Sequence, residues 1–364
     1  MVAACAMRTL GYRTLLIEKR GVDVERDDRR VIALSEGSRL VLERLGLWKA
    51  IGAVTPISRI LVSEASRSDA VIIAASEAKV PALGFVIPFN ELLRALSGAL
   101  SGLGDVELCF GHDAEIVERD DSHIQLRLHG KAIIDRNAQL VLRAEGSATG
   151  DLSRQKTYRQ HAIVAPLWTD VPANGCAYEH FTEQGPIALL PHQDHYALIW
   201  TVPSNELERW QEQQGTQAIT HLQALLGDRV GTILALGVRT SFPLNAYSVR
   251  HVVEPRSVRL GNAAQQLHPV AAQGFNLGLR DVWTLFDCLW DSPVDPGAAA
   301  LLDRYAARRR MDREGSLWLT DAMISTFGSA HTAVRIGRAG ALRALAASSA
   351  LRQLFAHRMM FGAI

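Results

Sequence analysis

Gly261, Asn262 and Gly274 stand in the one stretch of this chain whose spacing suits ligand chemistry, VRLGNAAQQLHPVAAQGFNLGLRD over residues 258–281. Val258–Leu260 reads as the end of a buried strand, broken at Gly261. Small Ala263 and Ala264 follow, Pro269 and Gly274 punctuate a turn, and from Phe275 the pattern becomes helical. A strand, a tight turn and a helix start bring backbone N–H groups and the positive end of a helix dipole against a ligand. Small side chains let the main chain approach closely. Asn262 sets a polar side chain at the C-terminal edge of the strand, where open α/β sheets hold ligands. Taken only as a Gly/Ala/Pro corner, the same residues are as often a plain strand–loop–helix connection.

Other chemistries find no support in the spacing. His112, His123, His129, His192 and His195 are single histidines in strands or loops, and no nucleophile–base triad or cluster with metal-ligand spacing is visible, so no metal is expected. His268 lies inside the run, before Pro269, where it shapes the turn or meets the ligand without a clear proton-transfer duty. Cys5, Cys109, Cys176 and Cys288 are scattered and fit reduced thiols rather than a disulfide framework.

The full run resembles the second flavin motif, of usual form GDAAHxxHPxxGQGxNxGxxD, of flavoprotein aromatic hydroxylases of the para-hydroxybenzoate hydroxylase type. With Asn after the glycine and Gln after the alanines it is similar to the ubiquinone-biosynthesis branch. The resemblance implies an α/β (α+β) fold: a Rossmann-like FAD-binding domain, an inserted antiparallel β-sheet substrate domain and a helical C-terminus. It implies FAD as cofactor, NADPH or NADH as reductant, and O₂ with a polyprenylated phenol as substrates. Other ubiquinone-biosynthesis proteins are the implied partners. In such enzymes a flavin C4a-hydroperoxide passes one oxygen atom to an electron-rich ring, and the cofactor carries the difficult steps. The helix start Gly274–Asn276 would then stabilise the N1/C2=O edge of reduced flavin. Asn262 would bond the ribityl chain, and Gly261, Pro269, Gln273 and Phe275 complete this contact set. Ala272 stands where the family usually has glycine.

Further strings extend the resemblance. RTLLIE ends in Glu18, an acid placed for ribose hydroxyls. Before it a first strand and a G-x-G-x-x-G turn are expected, yet the chain begins where the following helix is already under way. The expected fold therefore lacks both. The alternative to an enzyme is an N-terminally truncated or flavin-poor paralogue serving as a non-catalytic subunit. RRVIALS with LGLW resembles the segment whose arginines contact flavin phosphate or ribityl oxygens. Arg30 is the first candidate over Arg29, and Arg39 the second, because forked guanidinium donors suit phosphate. Glu145-Gly146-Ser147-Ala148-Thr149 takes the place of the family's A-D-G-x-x-S and offers Glu145 to the dinucleotide. FTEQGPIALLP is similar to the strand pair facing flavin and substrate, making Ile187, Leu189 and Pro191 the substrate candidates, with plain sheet core as the alternative.

The elements that must position these residues are legible in outline. Helices are expected over 2–10, 37–45, 91–100 (capped by Asn90) and 301–320, a helical excursion over 204–227, and helix from 275 to 290 and over the tail. Strands are expected over 57–63 and 69–76 with a hairpin at 64–68, over 106–110, 114–119 and 123–129 as a meander, and over 138–144, 162–167, 176–181, 185–191, 196–202 and 238–244. The expected division is 1–56, 84–155 and 245–300 for FAD, 57–83 and 156–244 for substrate, and 301–364 as a helical region.

Length and composition agree with an enzyme of this size. The 364 residues are 48% hydrophobic, and Lys+Arg 39 against Asp+Glu 38 argues against nucleic acid as a partner. No uninterrupted apolar run suits a membrane span, and the start lacks a signal-peptide pattern, so a cytoplasmic location is expected. The tail carries Arg335, Arg338, Arg343, Arg352 and Arg358 among apolar residues. Such a helix suits the inner face of the plasma membrane, a partner subunit, or packing on its own domain.

Overall fold

The computed structural model describes residues 1–21, 30–65, 70–102, 104–146, 152–213, 215–291, 295–329 and 331–363. Helix Val2–Thr9 comes first and stops at Leu10–Gly11, with Gly11 at φ +85. Strand Thr14–Glu18 follows and pairs in parallel with Val106–Phe110. The segment Val106–Phe110 therefore belongs to this pair and not to the expected meander. The meander is Asp113–Arg119, Ile124–His129 and Ile133–Ala138, all antiparallel. The buried strand expected over 138–144 is instead a half-buried strand of three residues, Val141–Arg143, running parallel to Ser257–Arg259.

Strand Val31–Ser35 runs into helix Glu36–Arg44, which Ser35 caps by accepting from the Ser38 N–H at 3.2 Å. Val31–Ser35 pairs with Gly84–Pro88, and helix Phe89–Ser101 begins directly after it. Asn90 thus lies inside the first turn and is not the cap. These helices, Val2–Thr9 and the long helix Gln273–Trp290 enclose one apolar core that includes Leu42, Ile87, Leu92, Leu100, Val258, Leu285 and Leu289.

A nine-stranded sheet forms the second body of structure among the described residues. Its spine is the 18-residue strand Leu152–Thr169, flanked by His195–Pro203 and Thr240–Val249. Pro186–His192, Cys176–Phe181, Arg59–Glu64 and Ala70–Ala74 continue it outward. The tip of the hairpin expected over 64–68 lies outside the described residues. One face of the sheet is sealed by helices Leu207–Glu212 and Gly215–Leu226, with Trp200 against Trp210 at 4.6 Å between ring centroids.

Helix Ala299–Phe327 packs along Gln273–Trp290, and helices Thr332–Ala347 and Ser349–Phe361 close the chain. The tail is held by charge as well as packing. Arg338 pairs with Glu64, Arg352 with Glu77 at 2.6 Å and Arg358 with Asp312 at 2.9 Å. These three arginines are engaged by the chain itself. Among the described residues no helix is long and apolar enough to cross a membrane.

Candidate functional site

The site is built at the end of the buried strand Ser257–Arg259. Gly261 turns the chain at φ +55, a left-handed conformation that side chains disfavour. A Cβ placed on Gly278 would lie 3.2 Å from the Gly261 Cα, so the two glycines let turn and helix touch backbone to backbone. Asp281 locks the contact. One carboxylate oxygen accepts from the Gly261 N–H and from Gln265 Nε2, both at 2.9 Å. The other accepts from Arg309 Nε at 2.7 Å on the neighbouring helix.

Ala272 then enters the long helix at φ 50, ψ 35. This explains why glycine is the usual residue at this place, since a left-handed alanine costs about 1–2 kcal/mol. Ala272→Gly is expected to raise stability by about 0.5–1 kcal/mol, after the greater chain entropy of unfolded glycine is subtracted. Urea unfolding followed by circular dichroism reads the change, and a midpoint that moves down contradicts it.

The helix start itself is open. It has no side-chain cap, and nothing lies within 4 Å of a Cβ placed on Gly274. Phe275 is 36% exposed and the Asn262 side chain faces outward. The first N–H groups of a helix have no partner within it, so they are offered to whatever fills this space. The open helix start beside the close-packed glycine turn offers backbone N–H groups to a ligand with an anionic or hydrogen-bond-accepting edge, the kind of edge that a flavin presents.

The expected contacts divide into two groups. Gly261 and Asn262 form the turn, Pro269 precedes the short 3-10 turn before the helix, and Gly274 and Phe275 lie in the first turn of the helix. Two others spend their side chains inside the protein. Asn276 Oδ1 accepts from the Ser35 N–H at 2.8 Å and Ser38 Oγ at 2.7 Å, while Nδ2 donates to Ala33 O at 3.0 Å and Ala272 O at 2.7 Å. Gln273 Nε2 donates to Met359 O of the last helix at 3.2 Å. Both therefore position the opening, and only their backbones are left to face a ligand.

The outlying candidates fare differently. Glu18 ends its strand and accepts from the Arg20 N–H at 3.1 Å. Arg30 sits between the rings of Phe89 and Phe242, at 5.7 and 6.0 Å from their centroids. Glu145 pairs with Arg143 at 2.7 Å, while Arg29 and Ser147–Thr149 lie outside the described residues. Arg39 is a correction. Its guanidinium forks onto Glu36 and reaches Glu43, all at 2.8 Å, which holds its pKa above the ordinary value and leaves no fork for a phosphate. Ile187, Leu189 and Pro191 are corrected too. Ile187 and Leu189 are fully buried in the core beneath the covering helices, and Pro191 is paired with Tyr196 of the same core. The alternation of the strand sends them away from the opening.

Two acids escaped the sequence reading, whereas His268 was expected to shape the turn or meet the ligand. Asp281 was quoted within the motif without a role. His268 is fully buried, and burial pushes its imidazole down to about 4; its Nδ1 accepts from the Val270 N–H at 3.2 Å. Tyr158 meets its ring edge-on at 4.9 Å and donates to Asp321 at 2.5 Å. Glu179 is an acid in the strand Cys176–Phe181 with a buried carboxyl oxygen that has no partner. Its signal was an acid set among apolar residues in CAYEHF. Among the described residues no His/Cys/Asp/Glu group could hold a metal.

The family model described as an FAD binding domain matches residues 1–314. The ubiquinone hydroxylase UbiL of Rhodospirillum rubrum is 30% identical, across 98% of this chain and 86% of its own. The 3-demethoxyubiquinol 3-hydroxylase of Escherichia coli is 30% identical, across 78% of this chain and 75% of its own. In fold, p-nitrophenol 4-monooxygenase PnpA from Pseudomonas putida aligns with a TM-score of 0.78 over 100% of this chain and 95% of that one, at 14% identity. HpxO of Klebsiella pneumoniae, solved with FAD and uric acid, aligns with a TM-score of 0.75 over 99% and 94%, at 13% identity. An opening of this shape, on this fold and with these relatives, places the chain in the family of FAD-dependent ubiquinone-biosynthesis hydroxylases, as an aromatic-ring monooxygenase.

Proposed function

We propose that the chain hydroxylates the ring of a polyprenylated phenol, taking electrons from NADH or NADPH and the oxygen atom from O₂. The observation that carries this is the uncapped helix start at Gly274, held open by Asn276 and Asp281. The names of its relatives, ubiquinone hydroxylases, support a phenolic substrate with an apolar tail. Bound flavin supplies oxygen activation and transfer of one oxygen atom to the ring.

The residues of the chain do the rest. Backbone N–H groups at Gly274 and Phe275 favour negative charge beside them. Asn262 bonds the polyol chain, and Glu18 and Arg30 serve the nucleotide end. Phe275 and the apolar sheet face exclude water. On this reading 1–56, 84–155 and 245–300 hold FAD. Residues 57–83 and 156–244 take the substrate, and 301–364 brace the motif helix.

The test is the visible spectrum of the purified protein with added FAD. A resolved bound-flavin spectrum is expected, bleached by NADH or NADPH and restored by O₂, with a prenylated phenol gaining one oxygen by mass spectrometry. A protein that binds flavin but leaves the phenol unchanged removes the substrate assignment. One that stays colourless removes the whole reading and leaves the non-catalytic alternative.

A further inference from the structure

The sheet presents two unlike faces, and the contrast can be followed residue by residue. One cross-strand row, Ile163–Trp200–Ile187–His180–Ser63, is buried from end to end beneath the covering helices. The adjacent row, one residue along each strand, is Val164–Ile199–Ala188–Glu179–Val62, and every member is only half-buried. Directly opposed residues share a face, so these five side chains stand together on the other side of the sheet.

That side is turned toward the flavin opening. Leu190, Ala177 and Ile60 pack on Val31, Ala33 and Val86. The strand Val31–Ser35 is the one that Asn276 ties to the helix start. At the end of the row, Val62 packs in the cluster of Met360 and Phe361, beside the residue whose carbonyl holds Gln273. The half-open row thus lies between the two landmarks that frame the opening.

Glu179 is the only polar member of this row. Its Oε1 is buried and accepts from nothing, and no cation stands among its neighbours in the row. An unpaired carboxyl on an apolar face is costly and persists where something else makes use of it. Burial pushes the group up to about 8, so at neutral pH it carries its proton and is both donor and acceptor.

We propose that Glu179 is the residue that recognises the ring hydroxyl of the phenolic substrate, on a face whose other members, Val164, Ile199, Ala188 and Val62, take apolar ring and tail. This rests on the substrate class given above. The neutral carboxyl accepts from the phenol O–H at one oxygen and donates to the phenol oxygen from the other. A methyl ether of the same ring cannot donate in return and leaves a buried acceptor unpaired.

The experiment compares 2-prenylphenol with its methyl ether, 2-prenylanisole, on the full chain. Probe binding is read by quenching of tryptophan fluorescence and FAD uptake by visible absorbance, so the two readings fail separately. Wild type is expected to prefer the phenol by about 10–100-fold. Glu179→Met, similar in volume, is expected to reduce the preference to less than about threefold. Glu179→Gln, a neutral donor and acceptor, is expected to keep most of it. Circular dichroism and FAD content identify a variant that has lost its fold. In that event the wild-type comparison decides, since equal binding of the two probes overturns the proposal. A Met variant that folds and keeps the full preference also overturns it. Failure of wild type to take up FAD removes the proposed function, and the fluorescence arm still tests Glu179.

Discussion

Asp281→Ala is expected to cost about 3–5 kcal/mol of stability, the range for breaking a buried ion pair by removing one partner. Its carboxylate and the Arg309 guanidinium are 1% and 4% exposed, so neither is screened by water. Arg309 keeps Asp312 at 2.7 Å through Nη1, but its Nε loses the only acceptor it has. The half-buried Gly261 N–H and the buried Gln265 Nε2 lose theirs as well, at about 1–3 kcal/mol for the buried donor and less for the other, not additively. The consequence for function is local. Asp281 draws the turn onto its own helix, where Gly261 and Gly278 meet, and on the proposed function a released turn no longer meets the polyol chain of FAD. FAD affinity should fall by at least about tenfold, as one or more hydrogen bonds go out of register. Asp281→Asn keeps one acceptor and should lie between alanine and wild type. Thermal unfolding of the apoprotein and an FAD titration read the two effects. If Asp281→Ala melts with wild type, the carboxylate is not the clasp described here.

The motif was legible because its signals are local. Gly261, Pro269 and the 3.6-residue pattern after Phe275 announce turn and helix without reference to the rest of the chain. What Asp281 does was not legible, since Arg309 lies on another helix and only packing brings them together. Arg39 is the opposite case. Glu36 and Glu43, three and four residues away along the helix, already declare its partners. Resemblance to a phosphate-binding segment outweighed that spacing, and the structure restores it. Ile187 and Leu189 were correctly placed on a strand of the sheet, but which face looks at the ligand depends on where helices Leu207–Glu212 and Gly215–Leu226 settle. No alternation within one strand reveals that. Glu179 was hidden for the same reason. Its neighbour Ala188 lies on the next strand but Val62 comes from a distant one, so only register sets the acid in an apolar row. Ala272 shows resemblance and geometry explaining each other: a family glycine marks a left-handed position, and the φ of 50 confirms the need.

Asn276→Leu is expected to destabilise the chain by about 2–4 kcal/mol, because one buried and two partly buried backbone groups lose a bond to its amide, at about 1–3 kcal/mol for the buried one and less for the others. Asn276 is 2% exposed, and the Ser35 N–H, Ala33 C=O and Ala272 C=O all depend on its amide, while the Ser38 hydroxyl can turn elsewhere. Leucine matches its shape and offers none of these bonds. Asn276→Asp gives a sharper result. One oxygen still accepts from Ser35 and Ser38, but the other now faces two carbonyl oxygens at the places where Nδ2 stood 3.0 and 2.7 Å away. Only a protonated carboxyl can donate to them, so the folded chain should raise this Asp above its unfolded pKa of about 3.9. A raised acid binds its proton more tightly in the folded state, and stability falls as pH climbs from the unfolded value through the folded one. The melting-temperature gap between wild type and Asn276→Asp should therefore widen from pH 5 to pH 8. A gap that stays constant would mean that the amide does not hold those carbonyls. The alternative role for Asn276, direct contact of its side chain with the flavin, makes a different forecast: Asn276→Leu would lose FAD while the apoprotein melted like wild type. Four protein partners on one amide argue for the first outcome, in which the fold is lost before the cofactor.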